Sequence, residues 1–94
     1  MFARVTTFHG SPGKAAQVLA GPLPPEVLKM AGFKGAYTLL DRDSGKGMLI
    51  ILWETEQAMR ASAEAATRIR GQYLEEAGAA APPTVEMYEV LSHP

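Results

Sequence analysis

The chain has 94 residues, of which 47% are hydrophobic and 20% charged, a composition that predicts one small globular domain over residues 1–94 and excludes a disordered segment. Nine Lys and Arg residues against ten Asp and Glu residues give a net charge of −1, which argues against nucleic acid or an anionic membrane as partner. The absence of cysteine excludes disulfides, thiolate metal sites and a cysteine nucleophile.

The N-terminal residues carry neither the basic segment nor the apolar core of a signal peptide. No apolar stretch approaches the length of a membrane span, so we expect a soluble cytoplasmic protein. Residues 2–9 are rich in Phe, Val and Thr and end at a Gly-Ser-Pro-Gly sequence, which predicts a first strand followed by a helix start.

The first helix is predicted in two pieces. Ser11 stands where a capping side chain is favoured, and Pro12 stands in the first turn, where proline is tolerated. Residues 14–19 continue helically until the prolines within residues 22–25, which cannot all lie inside one regular helix. Helical character then resumes over residues 26–31.

A hairpin of two strands follows, over residues 35–41 and 46–53, joined by a turn-rich loop at residues 41–45. Residues 48–53 are all apolar, and because side chains alternate along a strand, both faces of this strand require burial. A chain of this length has helices for one face of a small sheet. A second copy of the chain is therefore expected to cover the other face.

Thr55 is predicted to cap the second helix, which Gly71 can bend. Apolar residues recur along this helix at three- and four-residue spacing, so that one stripe faces the sheet. The stripe contains Met59, Ala63, Ala66, Ile69 or Arg70, and Tyr73. Residues 84–91 form the last strand.

The predicted order of elements is βαββαβ. This order closes most simply into a four-stranded antiparallel sheet with both helices on one face, the ferredoxin-like α+β arrangement.

Four segments of the chain, residues 32–35, 40–46, 51–62 and 83–90, resemble the antibiotic biosynthesis monooxygenase-like superfamily of dimeric α/β barrels. The resemblance extends over nearly the whole chain and implies a homodimer in which two sheets face each other. It implies less about chemistry, because one fold serves several activities.

The resemblance also implies an oxygenation that needs no metal, flavin or other cofactor, in which a deprotonated phenolic substrate reacts with oxygen. Such a step requires a dry apolar cavity, a group that steers the phenolate and access for oxygen. We therefore expect a small, planar aromatic or polyketide-like ligand between the sheet and the helices.

His9 is the candidate catalytic residue, because it is the one histidine inside a predicted element and imidazole is the side chain best suited to proton transfer near neutrality. Arg4 lies among apolar strand residues and is either a donor that lines the barrel or an interface ion-pair partner of Glu86 or Glu89. Arg68 and Arg70 are placed on a solvated helix face. The expected walls of the ligand pocket are Tyr37, Trp53, Met59 and Tyr73.

Departures from the superfamily narrow its chemistry. Ser62 and Gln72 stand where the haem-degrading branch resembling this chain carries a tryptophan and the axial histidine, so we expect no haem degradation. The quinone-forming branch uses an asparagine, and this chain has none. A metal-transfer domain would need paired cysteines, and an RNA-binding module would need stacking aromatics in basic surroundings. The remaining alternative to an oxygenase is a non-catalytic homodimer that binds a small ligand or serves a stress response.

Overall fold

The computed structural model describes residues 1–94, which form four strands and four helical segments. The strands are β1 (Phe2–His9), β2 (Phe33–Leu40), β3 (Lys46–Trp53) and β4 (Thr84–Glu89). The helices are α1 (Pro12–Ala20), α2 (Pro25–Leu28), α3 (Glu56–Ala61) and α4 (Ala63–Glu76). The strands lie in the order β2-β3-β1-β4, and every neighbouring pair is antiparallel. The predicted ferredoxin-like α+β fold is thereby confirmed.

Local signals place most of the elements, but several ends differ from prediction: β2 begins at Phe33 rather than at residue 35, and α2 ends at Leu28 rather than at residue 31. The Thr55 side chain caps α3 by accepting a hydrogen bond from Ala58 N at 3.0 Å, as expected. Ser11 occupies the cap position of α1, but its side chain makes no capping hydrogen bond. The second predicted helix is interrupted at Ser62, between α3 and α4, and α4 runs through Gly71. Strand β4 ends at Glu89, two residues earlier than predicted.

The hairpin between β2 and β3 has the predicted turn chemistry. Asp41 accepts a hydrogen bond from Asp43 N at 2.9 Å, and its own backbone N–H bonds Lys46 O at the same distance. Gly45 closes the loop with φ at +79°, a conformation that other residues rarely adopt. The loop therefore sets the β2–β3 register, which pairs Leu40 with Gly47.

The two faces of the sheet have different surroundings. On the helix-facing side, Arg4, Thr6 and Phe8 of β1 pair with Ile51, Leu49 and Gly47 of β3. On the other side, which we call the open face, no helix lies over the sheet. On strands β1, β2 and β3, the residues of the open face include Val5, Thr7, Tyr37, Leu39, Met48 and Ile50. Tyr37 and Leu39 are about half exposed, so the doubly apolar strand β3 has a helical cover on one side only.

The buried core consists of two clusters on the helix-facing side. The first joins β1 to α1 and α4 through Phe8, Ala15, Leu19, Tyr73, Leu74 and Ala77. The second joins β3 to α2 and α3 through Val27, Ile51, Trp53 and Met59.

None of the helices combines the length and the apolar character that a membrane crossing requires.

Substituting Gly47→Ala is expected to destabilise the protein by about 1–3 kcal/mol, because the new methyl would meet a packed core. A Cβ at this position would lie 2.5 Å from Cζ of Phe8 and 3.1 Å from Cδ1 of Leu19. Gly71→Ala is the matched control, since nothing lies within 4 Å of its Cβ position. This helix-interior change should stabilise α4 by about 0.5–1 kcal/mol. Chemical denaturation measures both, and equal stability of the two variants would contradict the packing.

Candidate functional site

A slot lies on the helix-facing side of the sheet, between the two core clusters. Its floor is formed by Arg4, Thr6, Phe8, Leu49, Ile51 and Trp53. Its roof is formed by Leu23, Pro24, Val27, Met30, Ala66, Ile69, Arg70, Tyr73 and Leu74. The empty space is about 590 Å³ when the part open to solvent is counted. Eleven of the fifteen lining residues are hydrophobic, so the slot is mainly apolar.

Arg4 is a buried cation in the floor of this slot, with only 4% of its surface exposed. It donates to Ser62 Oγ at 2.9 Å and to the Met59 carbonyl at 2.6 Å. Burial, and after it the charge of Arg70, lower the pKa of the Arg4 guanidinium. Since arginine stays protonated at any ordinary pH, the site keeps a positive charge held in place by two acceptors.

The acceptors for Arg4 exist because the helix is interrupted at Ser62. The Ser62 hydroxyl donates a hydrogen bond to the Met59 carbonyl at 2.7 Å and accepts one from Arg4. The Met59 carbonyl, in the last turn of α3, thus receives two side-chain donors. A continuous helix would direct this carbonyl to the backbone N–H four residues on. The interruption is therefore what turns a strand arginine into a fixed part of the slot.

Trp53 closes the slot at the end of β3 and is 1% exposed. Its ring lies 5.9 Å from the Arg4 guanidinium carbon and makes an edge contact with Phe33, with ring centroids 6.2 Å apart. Its indole Nε1 is buried without a hydrogen-bond acceptor, an uncommon state for a buried donor. The wall of the slot thus contains an unsatisfied N–H beside a cation.

Arg70 and Tyr73 bring two further polar side chains to the roof from α4. Burial lowers the pKa of Arg70. The Tyr73 hydroxyl donates to the Val18 carbonyl at 3.1 Å. Burial, reinforced by the charge of Glu76, raises the pKa of Tyr73, so this phenol remains neutral near pH 7. Tyr73 therefore contributes a ring surface and a structural hydrogen bond.

The structure brings two of the predicted site residues, Trp53 and Tyr73, into the slot. Met59 is buried in the core cluster beside Trp53 and contributes its carbonyl to Arg4. Tyr37 lies on the open face of the sheet, opposite Ile50. His9 is exposed at the end of β1, on the face shared with Val5 and Thr7, and it does not line the slot. The catalytic role of His9 stays a prediction.

Sequence reasoning gave too little weight to two arginines. Arg4 forms no ion pair with Glu86 or Glu89 within the chain and instead donates to Ser62 and to the Met59 carbonyl. The expectation of a solvated face holds for Arg68, which pairs with Glu26, but is wrong for Arg70. The helical stripe through Ala66 and Tyr73, which already included Arg70 as the alternative to Ile69, is the signal that places Arg70 correctly. No three His, Cys, Asp or Glu side chains come together in a group that could hold a metal ion.

No protein-family profile matches the chain. Two proteins of Mycobacterium tuberculosis, the uncharacterized proteins Rv2557 of strain H37Rv and MT2634 of strain CDC 1551, are each 39% identical to it over 68 residues. The match covers 72% of this chain but 30% of either relative. The chain thus spans less than a third of the length of these relatives.

Solved structures identify the fold. A monooxygenase from the gene ActVA-Orf6 of Streptomyces coelicolor, crystallised with nanaomycin D, superposes with a TM-score of 0.79 at 21% identity, covering 98% of this chain and 88% of that one. The protein has the antibiotic biosynthesis monooxygenase fold. SnoaB, a cofactor-independent oxygenase from Streptomyces nogalater, has the same fold at a TM-score of 0.70 and 18% identity, with 98% and 94% of the two chains covered. At these sequence identities, the similarity between this chain and the two solved structures shows a shared architecture only, and the chemistry must be argued from the slot.

Substituting Ser62→Ala is expected to destabilise the protein by about 1.5–3 kcal/mol, because it leaves one N–H of a buried guanidinium without its acceptor. Thr67→Ala is the matched control, since that hydroxyl also bonds a helix carbonyl, Ala63 O at 3.0 Å, but on the exposed side of α4. The control should change stability by less than about 0.5 kcal/mol. Urea denaturation followed by Trp53 fluorescence measures both, and similar losses in the two variants would show that Arg4 does not depend on Ser62.

Proposed function

We propose that the protein is a cofactor-independent monooxygenase that acts on a small, planar aromatic or polyketide-like compound. The observation that carries the proposal is the slot: a mainly apolar space with a buried, fixed guanidinium in its floor. The antibiotic biosynthesis monooxygenase fold is consistent with this use: one structural neighbour named above is a monooxygenase and another, SnoaB, is a cofactor-independent oxygenase.

The slot meets the requirements of an oxygenation through a substrate anion. An anthrone loses a proton from its ring methylene and becomes an enolate, and the fixed Arg4 charge stabilises the enolate oxygen in a mainly apolar site. The Arg4 guanidinium has five N–H groups and donates two hydrogen bonds to the protein, which leaves others for a substrate oxygen. Positioned cationic donors of this kind are worth most in a low-dielectric site.

The overall step balances without any further reagent. A ring methylene and one O₂ give a ring carbonyl and one water, and the four electrons come from the substrate carbon. No carboxylate or histidine lines the slot, so the proton lost by the substrate leaves to solvent through the open side. His9 remains the predicted acid/base group outside the slot, and its substitution tests that role directly.

We further propose that the functional unit is a homodimer formed through the open face of the sheet. This face is mainly apolar over β1, β2 and β3, and Tyr37 and Leu39 are 54% and 48% exposed on it. Strand β4 is exposed along its whole length, with Tyr88 on the open face and Val85 and Met87 on the opposite side of this edge strand. A two-fold axis brings the same apolar surface of two copies together, and this is the commonest assembly of soluble proteins. A second copy would therefore cover both the face and the edge.

With 1,8-dihydroxyanthrone as substrate, the wild-type protein is expected to consume one O₂ per anthrone without added metal or flavin. Arg4→Lys should lower kcat by about 100-fold, since the compact ammonium cannot keep the two protein acceptors and also reach the enolate. Arg60→Lys is the matched control, because Arg60 pairs with Glu56 on the surface. An oxygen electrode measures the rates.

His9→Ala is measured in the same assay. Equal rates in this variant and the wild type would remove His9 from the mechanism. If no substrate supports oxygen consumption above the buffer rate, the monooxygenase proposal fails. Saturable binding of anthrones without turnover would then favour the non-catalytic ligand-binding dimer.

Light scattering at micromolar concentration is expected to give the mass of two chains, with an interface on the order of 2,000 Å² in total. Leu39→Glu should shift the protein to monomer, because it buries a charge on the apolar open face. Leu28→Glu is the matched control, since Leu28 is 54% exposed on α2, at the opposite side of the sheet. A monomeric wild-type protein, or dissociation by Leu28→Glu alone, would contradict the proposed interface.

A further inference from the structure

Arg70 carries a charge that the protein itself does not compensate. The three ion pairs of the structure join Lys34 to Glu54, Arg60 to Glu56 and Arg68 to Glu26, and all lie on the surface. Arg70 takes part in none of them, although it is partly buried at the slot. A partly desolvated guanidinium without a counter-ion is an unfavourable arrangement in a free protein.

The sequence of α4 explains why no carboxylate reaches Arg70. The helix positions three and four residues before it are Thr67 and Ala66, and those three and four residues after it are Tyr73 and Leu74. These are the positions from which a Glu would pair with Arg70 along a helix. The acidic residues of α4 lie outside these positions, at Glu64, Glu75 and Glu76, and no acidic residue of any element lines the slot.

Two positive charges therefore face one apolar slot. Arg70 is close enough to Arg4 that its charge contributes to lowering the pKa of Arg4. The two differ in how they are held: Arg4 donates to Ser62 and Met59, whereas Arg70 makes no side-chain hydrogen bond in the structure. One substrate enolate would balance only one of these charges.

We propose that the ligand of the slot is an aromatic carboxylate and that Arg70 binds its carboxylate group. The planar guanidinium of Arg70 matches a carboxylate in a two-point hydrogen bond, and the ring system then extends into the slot over Trp53. This inference rests on the proposed function in one respect: the proposed function supplies the second anion, which is the substrate enolate at Arg4. The carboxylate at Arg70 and the enolate at Arg4 together neutralise the site.

The test measures binding, so that it is independent of turnover. The probes are anthraquinone-1-carboxylate and anthraquinone-2-carboxylate, each compared with its neutral carboxamide. Trp53 is the single tryptophan of the chain and lies in the slot wall, so quenching of its fluorescence reports occupancy. At least one carboxylate is expected to bind about tenfold or more tightly than its amide, the gain typical of a charged hydrogen-bonded pair.

Arg70→Gln should abolish this preference by weakening carboxylate binding about tenfold while leaving amide binding unchanged. Arg68→Gln removes the same charge two residues away on the same helix, outside the slot, and should keep the full preference. Thermal unfolding of both variants verifies that each is folded.

Equal binding of both carboxylates and their amides to the wild type would overturn the proposal, as would failure of all four probes to bind. A preference that survives in Arg70→Gln, or that Arg68→Gln also abolishes, would show that general electrostatics is responsible. An Arg70-dependent preference in a protein that consumes no oxygen would sink the monooxygenase proposal and leave the carboxylate site standing.

Discussion

The architecture of the slot depends on one buried charge, the guanidinium of Arg4 on the central strand β1. A cation inside an apolar core is tolerated only when its N–H groups are satisfied, and here the interrupted helix provides a hydroxyl and a carbonyl for that purpose. These hydrogen bonds tie the α3–α4 junction to the sheet. The position of α4 over the sheet, and with it the height of the slot, follows from that connection.

The slot exists because the core is divided. One cluster gathers around Phe8 and the other around Trp53, and the space between them is bounded by both. Ala66 on α4 leaves room under the helix, while Arg4 and Arg70 place like charges on opposite walls, which opposes closure of the gap. A continuous apolar core would be more stable, and a local loss of stability of this kind is common at functional sites.

The two sides of the sheet differ in their side chains. The helix-facing side carries the slot, with the polar groups that a ligand would meet, and the open face carries mainly apolar side chains and no arginine on β1, β2 or β3. Because side chains alternate along each strand, the same segments supply both sides, as β3 does with Ile51 on one side and Ile50 on the other. The proposed ligand site and the proposed dimer interface therefore use opposite sides of the same strands.

Local patterns in the sequence were enough to predict the order of the elements, the division of the first helix, the Thr55 cap and the doubly apolar strand β3. Each of these depends on neighbouring residues, whose spacing is visible in the chain. The site was only partly predictable: Trp53 and Tyr73 line the slot, whereas Arg70 was misplaced and the interruption of the helix at Ser62 was missed. The partners of Arg4 lie 55 and 58 residues away in sequence, so no periodicity could reveal them. Alternation along β1 puts His9 on the same face as Val5 and Thr7, and it puts Arg4 on the opposite face. Only tertiary packing decides which of these faces the helices cover, because the alternation of side chains along a strand does not depend on what packs against either face.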